Sequence, residues 1–194
     1  MGVSDLSIEP AAASRFADLA TLLAPKKPGA QGCWCLSYRL EPAANDALRA
    51  PHRAEEMERL CRRRSRVPGV LAYDGADVVG WAAVAPRSEL AGLAESRFPN
   101  EHDDAWALTC FRVRAGKGRR GVATALLQGA VRYAADEGAA AVVAYPVDAG
   151  DTRIDRTQAS IGLLRWFLDA GFEQVGDTGY RVNGRARVIV RKQV

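Results

Sequence analysis

Cysteines, aromatic residues and long apolar runs are all scarce in this chain. Four cysteines among 194 residues are too few for a disulfide scaffold. No uninterrupted apolar stretch reaches the roughly 18 residues that a bilayer span needs. Met1 to Pro10 lacks the basic start and apolar core of a secretory signal, so the expected location is the cytoplasm. There is no internal repeat, low-complexity tract or clear domain boundary.

What remains is a globular mixture. Hydrophobic residues make up 48% and charged residues 26%, and 27 basic against 23 acidic groups leave a net charge of +4. A chain of this length suits one domain, and folding can bury roughly 70% of its unfolded surface. The excess charge is unevenly placed. One cluster holds Arg59, Arg62, Arg63, Arg64 and Arg66, and a second holds Arg112, Arg114, Lys117, Arg119 and Arg120. Such clusters attract polyanions, but charge alone does not separate nucleic acid from a phosphorylated cofactor. The chain shows neither a basic sheet interleaved with aromatics nor a recognition helix, so no nucleic-acid partner is expected.

Patterning predicts a mixed α/β fold. Leu6–Glu9 alternates like a strand, and Pro10 opens a helix in which Phe16, Leu19 and Leu23 recur at the helical period. Cys33–Leu40 reads as a strand, with Cys33, Cys35 and Ser37 on one side and Trp34, Leu36 and Tyr38 on the other. Pro51 begins a helix that turns Met57, Leu60 and Cys61 inward. Val70–Tyr73 and Val78–Val84 flank Asp74-Gly75 as a hairpin. Trp106–Val113 is nearly continuous in strand-favouring residues, as an interior strand is. From Val122 the period becomes helical, and Gly138 ends that helix. Ala139–Tyr145 is a second buried strand, and the span from Trp106 to Tyr145 has the length of a parallel crossover. Ile161, Leu164, Phe167 and Leu168 form a last helical face, followed by strands at Phe172–Val175 and Ala186–Val190.

The chemistry concentrates where the first buried strand meets the long helix. Gly116, Gly118 and Gly121 let the backbone turn and let a bulky group approach. The first turn of the helix offers unpaired N–H groups and a partial positive charge, and Lys117, Arg119 and Arg120 add full charges. Together they make a pyrophosphate cradle. The nucleotide-triphosphate loop does not fit, because Gly116-Lys117 is followed by Gly118 instead of Ser or Thr. The dinucleotide spacing is met by the three glycines, but Asp136 and Glu137 lie on the following helix and not at a strand end.

The six residues Gly118-Arg119-Arg120-Gly121-Val122-Ala123, continued by Ala125-Leu126-Leu127, resemble the acyl-CoA signature of the GNAT superfamily of N-acetyltransferases. Gly118 departs from the Gln or Arg usual at the first position. The resemblance spans about Gly69 to Val190 and takes in Val79-Gly80-Trp81 and the Gly171-Phe172 pair. It implies a mixed, centrally splayed β-sheet flanked by helices, with residues 1–194 as one domain and 33–66 as a candidate acceptor-side elaboration. It implies acetyl transfer from acetyl-CoA to a primary amine by direct attack in a ternary complex. Cofactor contacts then fall on Phe111, Arg112, Val113, Gly116, Lys117, Gly118, Arg119, Arg120, Gly121, Val122 and Ala123.

The resemblance also places a proton-donating Tyr four residues before the Gly of Gly-Phe, where this chain has Phe167. Tyr145, Ser160 or an ordered water are the candidate replacement donors, and the sequence does not choose among them. Base candidates are Glu101, His102, Asp103 and Asp104; an ordinary histidine titrates near 6.5. The carboxylates, with Asp148, Asp151 and Asp155, are alternatively attractors for a cationic amine. Cys33-Trp34-Cys35 is tighter than the usual zinc spacing, and no metal is expected. The acceptor is a small-molecule amine or a protein or peptide amine, and the protein is a monomer or homodimer. The alternatives are a regulator that binds acetyl-CoA without transferring acetyl, or a basic nucleic-acid-binding protein.

Overall fold

The computed structural model describes residues 6–27, 30–94, 105–117, 121–150 and 160–194. Seven strands form one mixed sheet in the order β1-β2-β3-β4-β5-β7-β6. They are β1 Leu6–Pro10, β2 Gly69–Asp74, β3 Asp77–Pro86, β4 Trp106–Val113, β5 Ala141–Ala144, β6 Glu173–Val182 and β7 Arg185–Gln193. β4 and β5 are parallel and all other neighbours antiparallel. The helices are α1 Phe16–Leu23, α2 Pro42–Ala47, α3 His52–Cys61, α4 Ala91–Ala94, α5 Val122–Asp136 and α6 Leu164–Asp169. None among the described residues is long and apolar enough to cross a membrane.

The sheet separates two apolar cores because side chains alternate along each strand. On one face α5 buries Val122, Leu126, Leu127, Ala130 and Ala134 against Val70, Ala72, Ala82 and Val84. Two glycines set this close approach. A Cβ on Gly80 would lie 2.7 Å from the Leu126 side chain, and one on Gly129 would lie 2.3 Å from Ile8 Cγ2. On the other face Leu19, Leu36, Met57 and Leu60 pack on Leu71, Trp81 and Ala83.

Three local expectations are corrected. Cys33–Leu40 forms consecutive turns and not a strand, with Leu36 N–H bonded to Cys33 O and Leu40 N–H to Leu36 O. Alternation is necessary for a half-buried strand but insufficient: a strand also needs an edge to pair with, and this segment crosses over the sheet face. Pro10 ends β1, and the following helix begins only after a short 3-10 turn at Ala13–Arg15. Ile161 is buried but precedes α6, because Gly162 between them adopts a left-handed φ of 99°.

Candidate acyl-transfer site

The parallel seam between β4 and β5 is short. Trp106 pairs with Val142, Ala107 with Val143 and Leu108 with Ala144, and there the pairing stops. Thr109 is an extra residue on β4 relative to β3, since Ala83 faces Cys110 while Val84 faces Leu108. This bulge redirects β4 just where β5 ends at Ala144, two residues before Pro146. Val147 then bridges to Leu163 and Arg187, so the second half of β4 loses its parallel neighbour.

The opening leaves the outer edge of β4 without a parallel strand beside it. Arg114 N–H points to β3, where it bonds Val79 O at 2.8 Å. By alternation Phe111 and Val113 point the opposite way, into the seam. Phe111 N–H there meets Ser160 O at 2.7 Å. The aromatic wall of the seam is Phe167, fully buried and edge-on to both Phe111 and Phe172, with centroids 6.0 Å and 5.2 Å away.

The N-terminus of α5 lies beyond the C-terminal end of β4. Gly121 caps it with φ 73°, a left-handed conformation that suits glycine, and a Cβ there or on Gly116 would meet nothing within 4 Å. Val122 is buried in the core and Ala123 half-buried, which fixes the first helical turn against the sheet. Among the described residues, the helix N-terminus and the open sides of Gly116 and Gly121 are compatible with a coenzyme diphosphate.

The long cations divide their work. Lys117 Nζ pairs with Asp74 Oδ2 at 2.9 Å, which ties the loop to the hairpin turn. Arg112 reaches Leu22 O at 3.4 Å and Arg114 reaches Thr21 Oγ1 at 3.1 Å, both at the C-terminal end of α1. Gly118, Arg119 and Arg120 lie outside the described residues, as do Glu101, His102, Asp103, Asp104, Asp151 and Asp155.

Tyr145 is fully buried immediately after β5. Its hydroxyl accepts from the Arg87 guanidinium, which also lies 5.7 Å from the ring centroid. Its carbonyl accepts from Arg187 at 2.7 Å. Tyr38 is a residue that pattern reading passed over as one side of a supposed strand. Burial raises its pKa, Arg187 opposes this, and Cys110, Tyr180 and Cys33 add to it, so Tyr38 shares its surroundings with all four. Only a fold brings β4, β6, β7 and the 33–40 turns together in this way. Among the described residues no group of three or more His, Cys, Asp or Glu side chains is gathered as metal ligands.

A family model for the acetyltransferase (GNAT) family matches residues 37–165, about two thirds of the chain. The chain belongs to the GNAT acetyltransferase family. Solved GNAT-type structures share the fold over nearly the whole chain at low identity. A GNAT acetyltransferase from Bacillus cereus is 12% identical with a TM-score of 0.55, covering 97% of this chain and 96% of its own. An N-acetyltransferase from Staphylococcus aureus is 14% identical with a TM-score of 0.55, covering 98% and 99%. The PaiA N-acetyltransferase from Thermoplasma acidophilum, solved in complex with coenzyme A, is 10% identical with a TM-score of 0.56, covering 98% and 99%. No curated protein matches.

Proposed function

We propose that this GNAT protein is an acetyl-CoA-dependent N-acetyltransferase that acetylates a primary amine by direct attack in a ternary complex. The observation that carries the reading is the β4–β5 seam, which opens after Leu108 and Ala144 beside the N-terminus of α5. Acetyl-CoA supplies the acetyl group already activated as a thioester. Residues 116–123 would hold its diphosphate, and the backbone from Phe111 to Val113 its pantetheine arm and thioester carbonyl. The whole chain serves as one domain, with 33–66 on the acceptor side, in a monomer or homodimer that needs no nucleic-acid partner.

Within that reading His102, Glu101 or Asp104 takes the proton that the attacking amine must lose. The departing thiolate needs a proton, and Tyr145 supplies it. Its phenol touches the Arg87 guanidinium, and a permanent cation stabilises the phenolate left behind. Tyr38 is the second phenol to test, because burial keeps it protonated. Tyr145→Phe and Tyr38→Phe separate the two: loss of the donor lowers kcat at saturating acceptor, whereas loss of a merely structural contact does not.

The test of the whole reading is calorimetric titration with acetyl-CoA, then a transfer screen over small-molecule amines and peptides read by mass spectrometry. One-to-one binding is expected, weakened at least about tenfold by Gly121→Glu, which adds strain and negative charge at the helix N-terminus. Absence of binding to folded protein rejects the reading. Binding without transfer to any acceptor selects the second reading, a regulator that binds acetyl-CoA. Phe167 favours that second reading, since it puts a ring without a proton where relatives carry a donor.

A further inference from the structure

We propose that Cys35 and Cys110 form a dithiol modification site, converted by a hydroperoxide to a disulfide that clamps the acceptor-side turns onto the central strand. The two residues are 75 positions apart in sequence, yet their sulfurs share a hydrogen bond at 3.0 Å. A disulfide needs about 2.0 Å, so a further approach of about 1 Å completes the bond. Trp81 Nε1–H donates to the same Cys35 sulfur at 3.3 Å.

The backbone is bent to make this contact. Trp34 and Cys35 are consecutive non-glycine residues with left-handed φ values of 50° and 54°. That conformation is uncommon and persists only where the surroundings hold it. Trp34 is held by stacking on Phe16 at 6.2 Å, and Cys35 by Cys110 and Trp81.

The thiols differ in character. The hydrogen bond shared with Cys110 is the chief influence lowering the Cys35 pKa; Trp81, Arg112 and Arg39 help, and burial opposes. Cys110 is shifted the opposite way, well above the ordinary value, by its bond to Cys35 and by burial. Burial, opposed by Arg39 and aided by Glu58, pushes Cys61 up to about 12 and leaves it inert. Because Trp81 Nε1–H donates to the Cys35 sulfur and steadies charge on it, Cys35 is assigned the attack and Cys110, the less buried of the two, the resolution. In the first step the Cys35 sulfur bonds one peroxide oxygen and the O–O bond breaks. Cys35 becomes a sulfenic acid, and hydrogen peroxide loses its other oxygen as water. In the second step the Cys110 thiol displaces that oxygen as a second water and the S–S bond forms. The two thiols are oxidised by two electrons in all, and the peroxide is reduced.

The decisive experiment is a peptide map of reduced wild-type protein treated with hydrogen peroxide, with remaining thiols alkylated. The expected product joins the Cys35 and Cys110 peptides with loss of two hydrogen atoms, leaves Cys33 and Cys61 alkylated, and reverses with dithiothreitol. Cys33→Ser keeps the product; Cys110→Ser replaces it with a sulfenic acid at Cys35 that dimedone traps. Amide exchange at Leu36, Arg39 and Leu40 slows several-fold in the oxidised protein. Both thiols still alkylated, a bond through Cys33, overoxidation of Cys35 without a bond, or unchanged exchange would overturn the proposal. That the clamp regulates transfer rests on the acetyltransferase reading, and acetyl-CoA titration in both redox states keeps the two apart. A bond that forms in a protein binding no acetyl-CoA overturns only that reading; acetyl-CoA binding with no bond overturns only this proposal.

Discussion

The two faces of the one sheet are held by different means. On the α5 face, regular helices lay continuous apolar stripes on the strands, and glycines set the distance of approach. On the opposite face much of the cover is irregular chain, tied down by buried arginines that donate to carbonyl oxygens. Arg53 bonds Asn45 O at 2.8 Å, Leu48 O at 3.1 Å and Cys33 O at 3.0 Å. Arg39 bonds Pro68 O at 2.8 Å, and burial brings its pKa down to about 10. Irregular segments leave carbonyls without ladder partners, and a guanidinium with five donors serves several at once. In the proposed reading the first face frames the coenzyme. The second is a polar network over apolar side chains, and in the same reading it lies on the acceptor side.

The contrast predicts mutations with different signatures. The largest effect belongs to Leu126→Ala, fully buried under α5, which should cost about 3 kcal/mol in denaturant unfolding. Amide exchange in 33–48 should keep its rank relative to global unfolding. Arg53→Met should cost about 2 kcal/mol by stranding three carbonyls. Its signature is local: exchange through 33–48 accelerates more than global unfolding, and equal acceleration everywhere would erase the distinction between the faces. Gly129→Ala should cost about 1 kcal/mol, because contact with Ile8 outweighs the gain in helix propensity. In an Ile8→Ala background that cost should vanish, as a double-mutant cycle measures.

The smallest effect is one of pH. The Tyr73 hydroxyl donates to Asp18 Oδ2 at 2.8 Å, and burial together with that bond pushes its pKa up to about 12. A pKa raised from an ordinary value of about 10 gives stability that is complete below that pH and lost as pH rises toward 12. Urea midpoints between about pH 8 and 11 should fall with pH in the wild type and fall less steeply in Tyr73→Phe.

The difference between the faces also separates what pattern reading reached from what it missed. Val122, Leu126, Ala130 and Ala134 declare their helix, and Trp106–Val113 its strand, because period and burial are properties of a short stretch of chain. Gly121 declared its turn for the same reason: a left-handed residue before a helix is a local demand. By the family resemblance Phe167 stands where many members carry a proton-donating Tyr, a departure visible by counting back from Gly171-Phe172. The residues from Cys33 to Leu40 misled, since they pack as a string of turns over Trp81 and Met57 and bury Trp34, Cys35 and Leu36 in succession.

The sequence by itself determined the hairpin, the parallel crossover and the glycine turn ahead of α5, since neighbouring residues specify each of these. Tertiary structure alone decided that β4 and β5 part after Leu108, that Lys117 answers to Asp74, that Arg87 meets Tyr145, and that Cys35 lies against Cys110. Those pairings join residues tens of positions apart, and the partner of a buried charge or thiol is set by which surfaces the packed cores bring together, not by any period along the chain.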